Sequence, residues 1–227
     1  GVPGRLYSFA VDHGSGMTPV QTAITALAGP ALSLVLGLIM TTWLPFRHSA
    51  GIGHLLWLFV GFTSLEEAVT YLVITMFGAG DTATAAAALG LDNAAVMIGT
   101  SAVGIAGMFW AAWRFAPHVR RHAGEDIRLA RSLAWYPWLI SVVWLMVLQT
   151  GQLLIVPAGL SVGEFILILL SSYSITLFAP MSFIFLRRTK ADPQPLHLPA
   201  VPTVLIVGYA VLFVLNIVLD LTGPTLG

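Results

Sequence analysis

Six apolar stretches, each about 20 residues or longer, alternate with short polar connections along this 227-residue chain. No other feature limits the fold so sharply, because an α-helix needs roughly 20 apolar residues to cross about 30 Å of hydrocarbon. The stretches lie near 20–44, 52–78, 93–115, 134–156, 163–186 and 201–221. They predict an all-α, polytopic integral membrane protein: one transmembrane domain over residues 1–227 with six transmembrane helices. A hydrophobic content of 57% with 9% charged residues, and a mean hydropathy of +0.89, exclude an ordinary soluble domain, which carries about 25% charged residues. With lipid as the solvent, each polar residue inside a span needs a partner or a task.

The breaks between spans carry the expected chemistry. Pro45, Pro117, Pro157 and Pro199 are read as lying outside the spans, and Ser161-Val162-Gly163-Glu164 has capping-box spacing at the start of the fifth. Pro180 falls inside the fifth span and predicts a kink there. The opening Gly1-Val2-Pro3-Gly4-Arg5 has no apolar region of the kind a signal peptide needs, and reads as a processed or truncated start. Without cysteine, the chain has neither disulfides nor thiolate metal sites.

The net charge of zero hides a spatial segregation. Let side A be the side bearing the N-terminus. Its loops hold a single basic residue, Arg5, beside Asp12, Asp81, Asp92, Glu164 and Asp220. Side B holds Arg47, Arg114, Arg120, Arg121, Arg128, Arg131, Arg187, Arg188 and Lys190. The positive-inside rule makes side B cytoplasmic, with both termini outside, and a bacterial inner membrane is the expected location. Trp43, Trp57, Trp110, Trp113, Trp135 and Trp138 are read as an aromatic belt at that interface. The 116–133 connection predicts a short amphipathic cytoplasmic helix between helices 3 and 4. Its Arg120, Arg121, Arg128 and Arg131 would contact anionic lipid or a partner. Residues 188–200, with Pro193, Pro195 and Pro199, read as an extended linker. These arginine clusters give no support for nucleic-acid binding.

Glu66 and Glu67 stand near the centre of the second span, among Thr63, Ser64, Thr70 and Tyr71. A carboxylate at that depth costs about 3 kcal/mol even on insertion scales, so each must face the bundle, carry a proton or hold a cation. Neighbouring residues differ by about 100° around a helix, so the two cannot serve one pocket equally. They read either as a proton or ion relay or as glue between helices, bonded to Gln149, Gln152, Ser172 or Ser174. Gln149, Thr150 and Gln152, like Ser171, Ser172, Tyr173, Ser174 and Thr176, read as interhelical hydrogen-bond formers. Gly29, Ser33 and Gly37 make a small-residue stripe that admits a close neighbour, from this chain or another.

The histidines suggest no strong site. His118 and His122 share a helical face, but the residues between them are Val119, Arg120 and Arg121, whose charge disfavours a metal dication. His13, His48, His54 and His197 read as surface histidines, and the lack of a mid-span histidine argues against haem between helices.

Ala28-Gly29-Pro30-Ala31-Leu32-Ser33, in an apolar helix, resembles the AGP helix of site-2-protease-type membrane zinc metallopeptidases. Gly1-Val2-Pro3-Gly4-Arg5-Leu6-Tyr7 and the turn Gly14-Ser15-Gly16 resemble the stretch that follows that family's zinc helix. Phe77-Gly78-Ala79-Gly80-Asp81-Thr82, leading to Leu89-Gly90-Leu91, is similar to the motif supplying its third metal ligand. The resemblance covers about residues 1–92. It implies Asp81 as a zinc ligand, but this chain has no H-E-x-x-H motif to supply the histidines and the catalytic glutamate. Zinc is therefore expected only if an upstream helix brings them. Asp81 before Thr82 also reads as a plain helix N-cap.

Three functions follow as expectations. The first is a non-catalytic membrane protein of metallopeptidase-like ancestry, serving as accessory or scaffold subunit beside other membrane subunits, with respiratory and photosynthetic complexes as candidate hosts. The second is an intramembrane zinc metalloprotease whose H-E-x-x-H helix lies outside this chain. The third is a small proton or ion transporter built on Glu66 and Glu67.

Overall fold

The computed structural model describes residues 17–42, 50–155, 177–191, 196–197 and 200–222. All regular structure among them is helical. The elements are α1 (Pro19–Thr42), α2 (Gly51–Ile74) with a 3-10 turn over Thr75–Phe77, α3 (Gly80–Ala88), α4 (Ala94–Ala123), α5 (Ile127–Ile155), α6 (Phe178–Leu186) and α7 (Thr203–Thr222). Four segments are long and apolar enough to cross a membrane: Pro19–Thr42, Gly51–Phe77, Ala94–Ala123 and Ile127–Val147. Most of the expected fifth span, including its Ser161–Glu164 cap, lies outside the described residues. Pro180 falls in the first turn of the described helix α6, and the upstream part of the span, on which the expected kink depends, lies outside the described residues.

α2 is the central element, and glycines let its neighbours approach. A methyl group at Gly37 of α1 would stand 2.5 Å from the Leu65 nitrogen of α2. On the other side, a methyl at Gly104 of α4 would stand 2.7 Å from the Val73 nitrogen and 2.8 Å from the Val69 carbonyl oxygen. Backbones this close gain dispersion contacts that lipid chains cannot match. α4 also closes the ends of its neighbours. The Ser101 hydroxyl meets the carbonyl oxygens of Leu72 and Val73 at 3.2 and 2.9 Å and accepts the Met76 N–H at 3.0 Å. Arg114 donates to the Thr41 carbonyl at the end of α1, at 2.9 Å.

Beyond this clasp, four helices meet in an aromatic core. Phe62 of α2, Phe115 of α4, Trp138 of α5 and Phe178 of α6 pack with ring centroids 4.8–6.2 Å apart. Trp57 and Trp138 are buried, so the expected interfacial belt is divided: Trp110 and Trp113 are exposed while these two belong to the interior. α7 stands apart. Its described side chains are exposed except Phe213, and it reaches α5 through the Trp144 indole, which donates to the Tyr209 hydroxyl.

The expected surface helix over 116–133 does not form. α4 continues past the exposed Pro117 to Ala123, a tight turn follows at Gly124-Glu125-Asp126, and α5 starts at Ile127. The reason is packing. Ala116, Val119, Ala123, Ala130 and Ala134 interlock as one buried small-residue seam, which would be lost if this segment lay on the membrane surface. Gly124 takes φ 55° and its N–H bonds the Arg120 carbonyl, ending α4. Asp126 then caps α5, its Oδ1 accepting the N–H groups of Arg128 at 2.8 Å and Leu129 at 3.0 Å.

Those bonds, from Leu129 first and Arg128 second, hold the Asp126 carboxyl below the ordinary 3.8. A lowered folded value stabilises fully above the unfolded value and is lost as pH falls through the folded one. The stability difference between the native chain and Asp126→Asn should therefore be constant from pH 5 to 8 and shrink on acidification below about pH 4, followed by thermal unfolding. A difference that does not change with pH would count against the cap. In mixed micelles titrated with denaturing detergent, Gly37→Ala and Gly104→Ala should each destabilise by about 1–3 kcal/mol. Gly29→Ala, whose added methyl meets nothing within 4 Å, should stay within about 0.5 kcal/mol.

Candidate functional site

The 100° step between adjacent helical residues sends the two central carboxylates in different directions. Glu66 points into the core, fully buried, and neither of its oxygens has a hydrogen-bond partner among the described residues. Thr70, one turn further along the same buried face, also has an unpartnered hydroxyl. The side chains of Gln149 and Gln152, expected to bond these carboxylates, lie outside the described residues, as do Ser172 and Ser174. Glu67 turns instead toward α1, where Ser33 donates to its Oε2 at 3.0 Å. Among the described residues, Glu67 is the member of the pair that bonds another helix.

Glu67 belongs to a half-buried polar face. Tyr71, one turn along α2, stands near both Asp81 and Glu67. The turn after α2 brings Asp81 there: Gly80, at φ 81°, lets the chain fold back so tightly that a methyl on it would stand 2.7 Å from Ile74 Cδ1 and 3.0 Å from Tyr71 Cδ1. Asp81 occupies the first turn of α3, behind an N-cap at Ala79, so the N-cap reading is corrected by two positions. An acid there still complements the positive end of the helix dipole. α3 is held on α1 through Ala85 against Ala23 and Ala26.

The small-residue stripe thus divides. Gly37 and Ser33 meet α2 of the same chain, whereas Gly29, one turn from Ser33, is exposed with open space around it. The face so formed carries two carboxylates, a phenol and a hydroxyl beside an uncovered small-residue surface on a membrane-length helix. Asp81 can offer a metal one ligand. Among the described residues, no three His, Asp or Glu side chains converge on one point as a metal site.

The opposite end of α2 holds a cluster that sequence reasoning missed. His54, read as a surface residue, is fully buried. Its ring lies 5.4–5.7 Å from those of Trp57, His118 and His122, and His54 Nδ1 and His122 Nε2 share a hydrogen bond of 3.4 Å. This histidine pair clamps the first turn of α2 to the last turn of α4. The signal was present in the sequence, since His54, Leu58, Phe62 and Glu66 recur every four residues along one face. The Leu196 N–H reaches the Arg121 carbonyl at 2.7 Å, so Leu196 also docks at this end. Of the arginines expected at the surface, Arg128 is exposed, Arg121 and Arg131 are half-buried, and Arg120 is buried in the turn between α4 and α5. Arg120 cannot act as a freely exposed surface contact, because Val119 and Ala123 beside it pack into the core.

No family model, no curated protein and no solved structure matches this chain. A double-mutant cycle over Ser33→Ala and Glu67→Ala, followed by unfolding in mixed micelles, should return a coupling of about 0.6–2 kcal/mol. A value near zero would remove Glu67 from the α1–α2 contact.

Proposed function

We propose that this protein is an integral membrane subunit whose half-buried acidic face, Ser33–Glu67 with Tyr71 and Asp81, is completed by a further transmembrane helix. The observation that supports this most is Glu67. It stays partly exposed in the middle of a membrane-length helix, beside the open surface at Gly29. Facing hydrocarbon, a carboxyl at that depth would be costly, by about 3 kcal/mol if charged. Against a helix bearing a hydrogen-bond donor or a cation, it becomes a specific contact. On this reading the chain is a non-catalytic accessory or scaffold subunit of a larger assembly. Its arginine-rich turns face the cytoplasm of a bacterial inner membrane and its termini face outward, following the basic-residue bias.

A second reading draws on the same face. On this reading, a helix seated against Gly29 supplies further ligands beside Asp81, and by the resemblance to membrane zinc metallopeptidases that helix bears H-E-x-x-H and is contributed from outside residues 1–227. Asp81 would then be the third zinc ligand. The metal would supply Lewis acidity and an activated water, while this chain's part is to hold the Asp81 carboxylate at the start of α3. Both readings require a helix over Gly29; only the second requires histidines on it.

The chain has no cysteine, so single-cysteine labelling is clean. In native membranes, Gly29→Cys should react with a lipid-soluble maleimide at least about tenfold more slowly than Val35→Cys, which stands clear of the packed face of α1. It should also crosslink to one membrane-protein band. Equal labelling at the two positions would overturn the proposal. Zinc bound in one-to-one ratio and lost in Asp81→Ala would select the second reading.

A further inference from the structure

The turn between α4 and α5 buries positive charge whose guanidinium nitrogens are incompletely hydrogen-bonded among the described residues. Arg120 is 9% exposed, and its Nε and Nη1 are buried without a hydrogen-bond partner. Arg131 repeats the pattern. Its Nε is buried and unpartnered, and its guanidinium lies 5.9 Å from the Phe183 ring of α6. Arg120 is four residues before Gly124 and Arg131 five after Asp126, so both stand about one to one and a half helical turns from the same bend. α4, α5 and α6 pack together there, through Val119, Ala123, Ala130, Ala134 and Leu186.

Among the described residues, few acceptors stand near this bend, and several of them are engaged. Asp126 attracts Arg120, but its Oδ1 accepts the two backbone N–H groups that begin α5. Glu125 is exposed. The carbonyls of Arg120 and Arg121 are taken by Gly124 and Leu196. Exposed Arg187 and Arg188 follow α6 at this junction and add positive charge. Asp126 offsets part of the charge, but a buried guanidinium whose Nε and Nη1 lack acceptors is unfavourable, so a site of this kind favours an external anion. The flat fork of N–H donors fits the oxygens of a phosphate group better than a spherical ion.

We infer that Arg120 and Arg131 form a binding site for a phosphate group at the junction of α4, α5 and α6. The junction lies at the ends of apolar spans, where phospholipid headgroups stand, and basic pockets between helices at that level hold anionic headgroups. Phosphate of either origin, a lipid headgroup or the free ion, presents the same oxygens to the two arginines. The site is independent of the helix assigned to the Gly29 face and stands whether or not that helix exists.

The test uses the full chain in nanodiscs of phosphatidylcholine, with and without phosphatidylglycerol, and counts retained lipids by native mass spectrometry. One phosphatidylglycerol should be retained per chain, in preference to phosphatidylcholine. Arg120→Gln and Arg131→Gln should each reduce that preference about tenfold, the weight of one charge-assisted hydrogen bond. Arg128→Gln, on the exposed side of the same bend, should change it by less than about twofold. Arg131 is only half-buried, so its variant is the safeguard if Arg120→Gln fails to fold. Retention unaffected by millimolar inorganic phosphate assigns the lipid headgroup. Displacement, with thermal stabilisation by phosphate alone in phosphatidylcholine discs, assigns the free ion; either supports the site. Absence of both a phosphatidylglycerol preference and a phosphate effect would overturn it, as would equal losses in all three variants, which mark diffuse surface attraction.

Discussion

The close approach of α2 to its two neighbours governs the arrangement of everything else. Gly37 on one side and Gly104 on the other bring backbones into contact without intervening side chains. In a membrane this matters more than in water, because burying leucine against leucine gains little over leaving it in lipid. Backbone proximity and interhelical hydrogen bonds must supply the specificity. Once α2 is fixed at those two points its rotation is fixed as well, and so is the direction of each polar side chain along it.

That rotation gives one helix three chemically different surfaces. The face toward α4 carries His54, Phe62 and Glu66, all fully buried. The face toward α1 carries Glu67, whose hydrogen bond to Ser33 survives at partial exposure. The far end, with Tyr71, is joined by Asp81 through the turn at Gly80. The molecule is therefore polarised along α2, with acids and an open small-residue surface toward one end and histidines and arginines at the other. Glu67 and Arg120 pose the same problem with opposite sign, each being a polar group placed where the chain provides too few partners. On the two proposals, each is resolved by something bound from outside, a helix in one case and a phosphate in the other.

The fold was legible in the sequence to the extent that hydrophobicity alone decides it. The long apolar runs correspond to α1, α2, α4 and the first part of α5, and the opposed directions of Glu66 and Glu67 followed from helical geometry. The bend at Gly124–Asp126 was missed because the arginines around it imitate a surface helix. The alanine seam of Ala116, Ala123, Ala130 and Ala134 was the opposing evidence, and small residues carry little weight in a hydropathy reading. His54 was misplaced for a related reason. Proximity to a loop suggested exposure, whereas its four-residue spacing with Leu58 and Phe62 put it inside. The acidic face depends on the Gly80 turn and could not be assembled from linear spacing. The open ground at Gly29 likewise needed coordinates, because a stripe of small residues does not say which of its members are already covered.

The proposed function requires that Glu67 and the Gly29 surface be covered by a helix in the working protein. Its most direct test is the composition of the particle extracted from native membranes in a mild detergent and resolved by size and mass. The account predicts a particle containing this chain and a second transmembrane segment in fixed ratio, from which Glu67→Ala releases the chain. A monodisperse particle of this chain alone, with Glu67 open to lipid and its removal without effect, would contradict it.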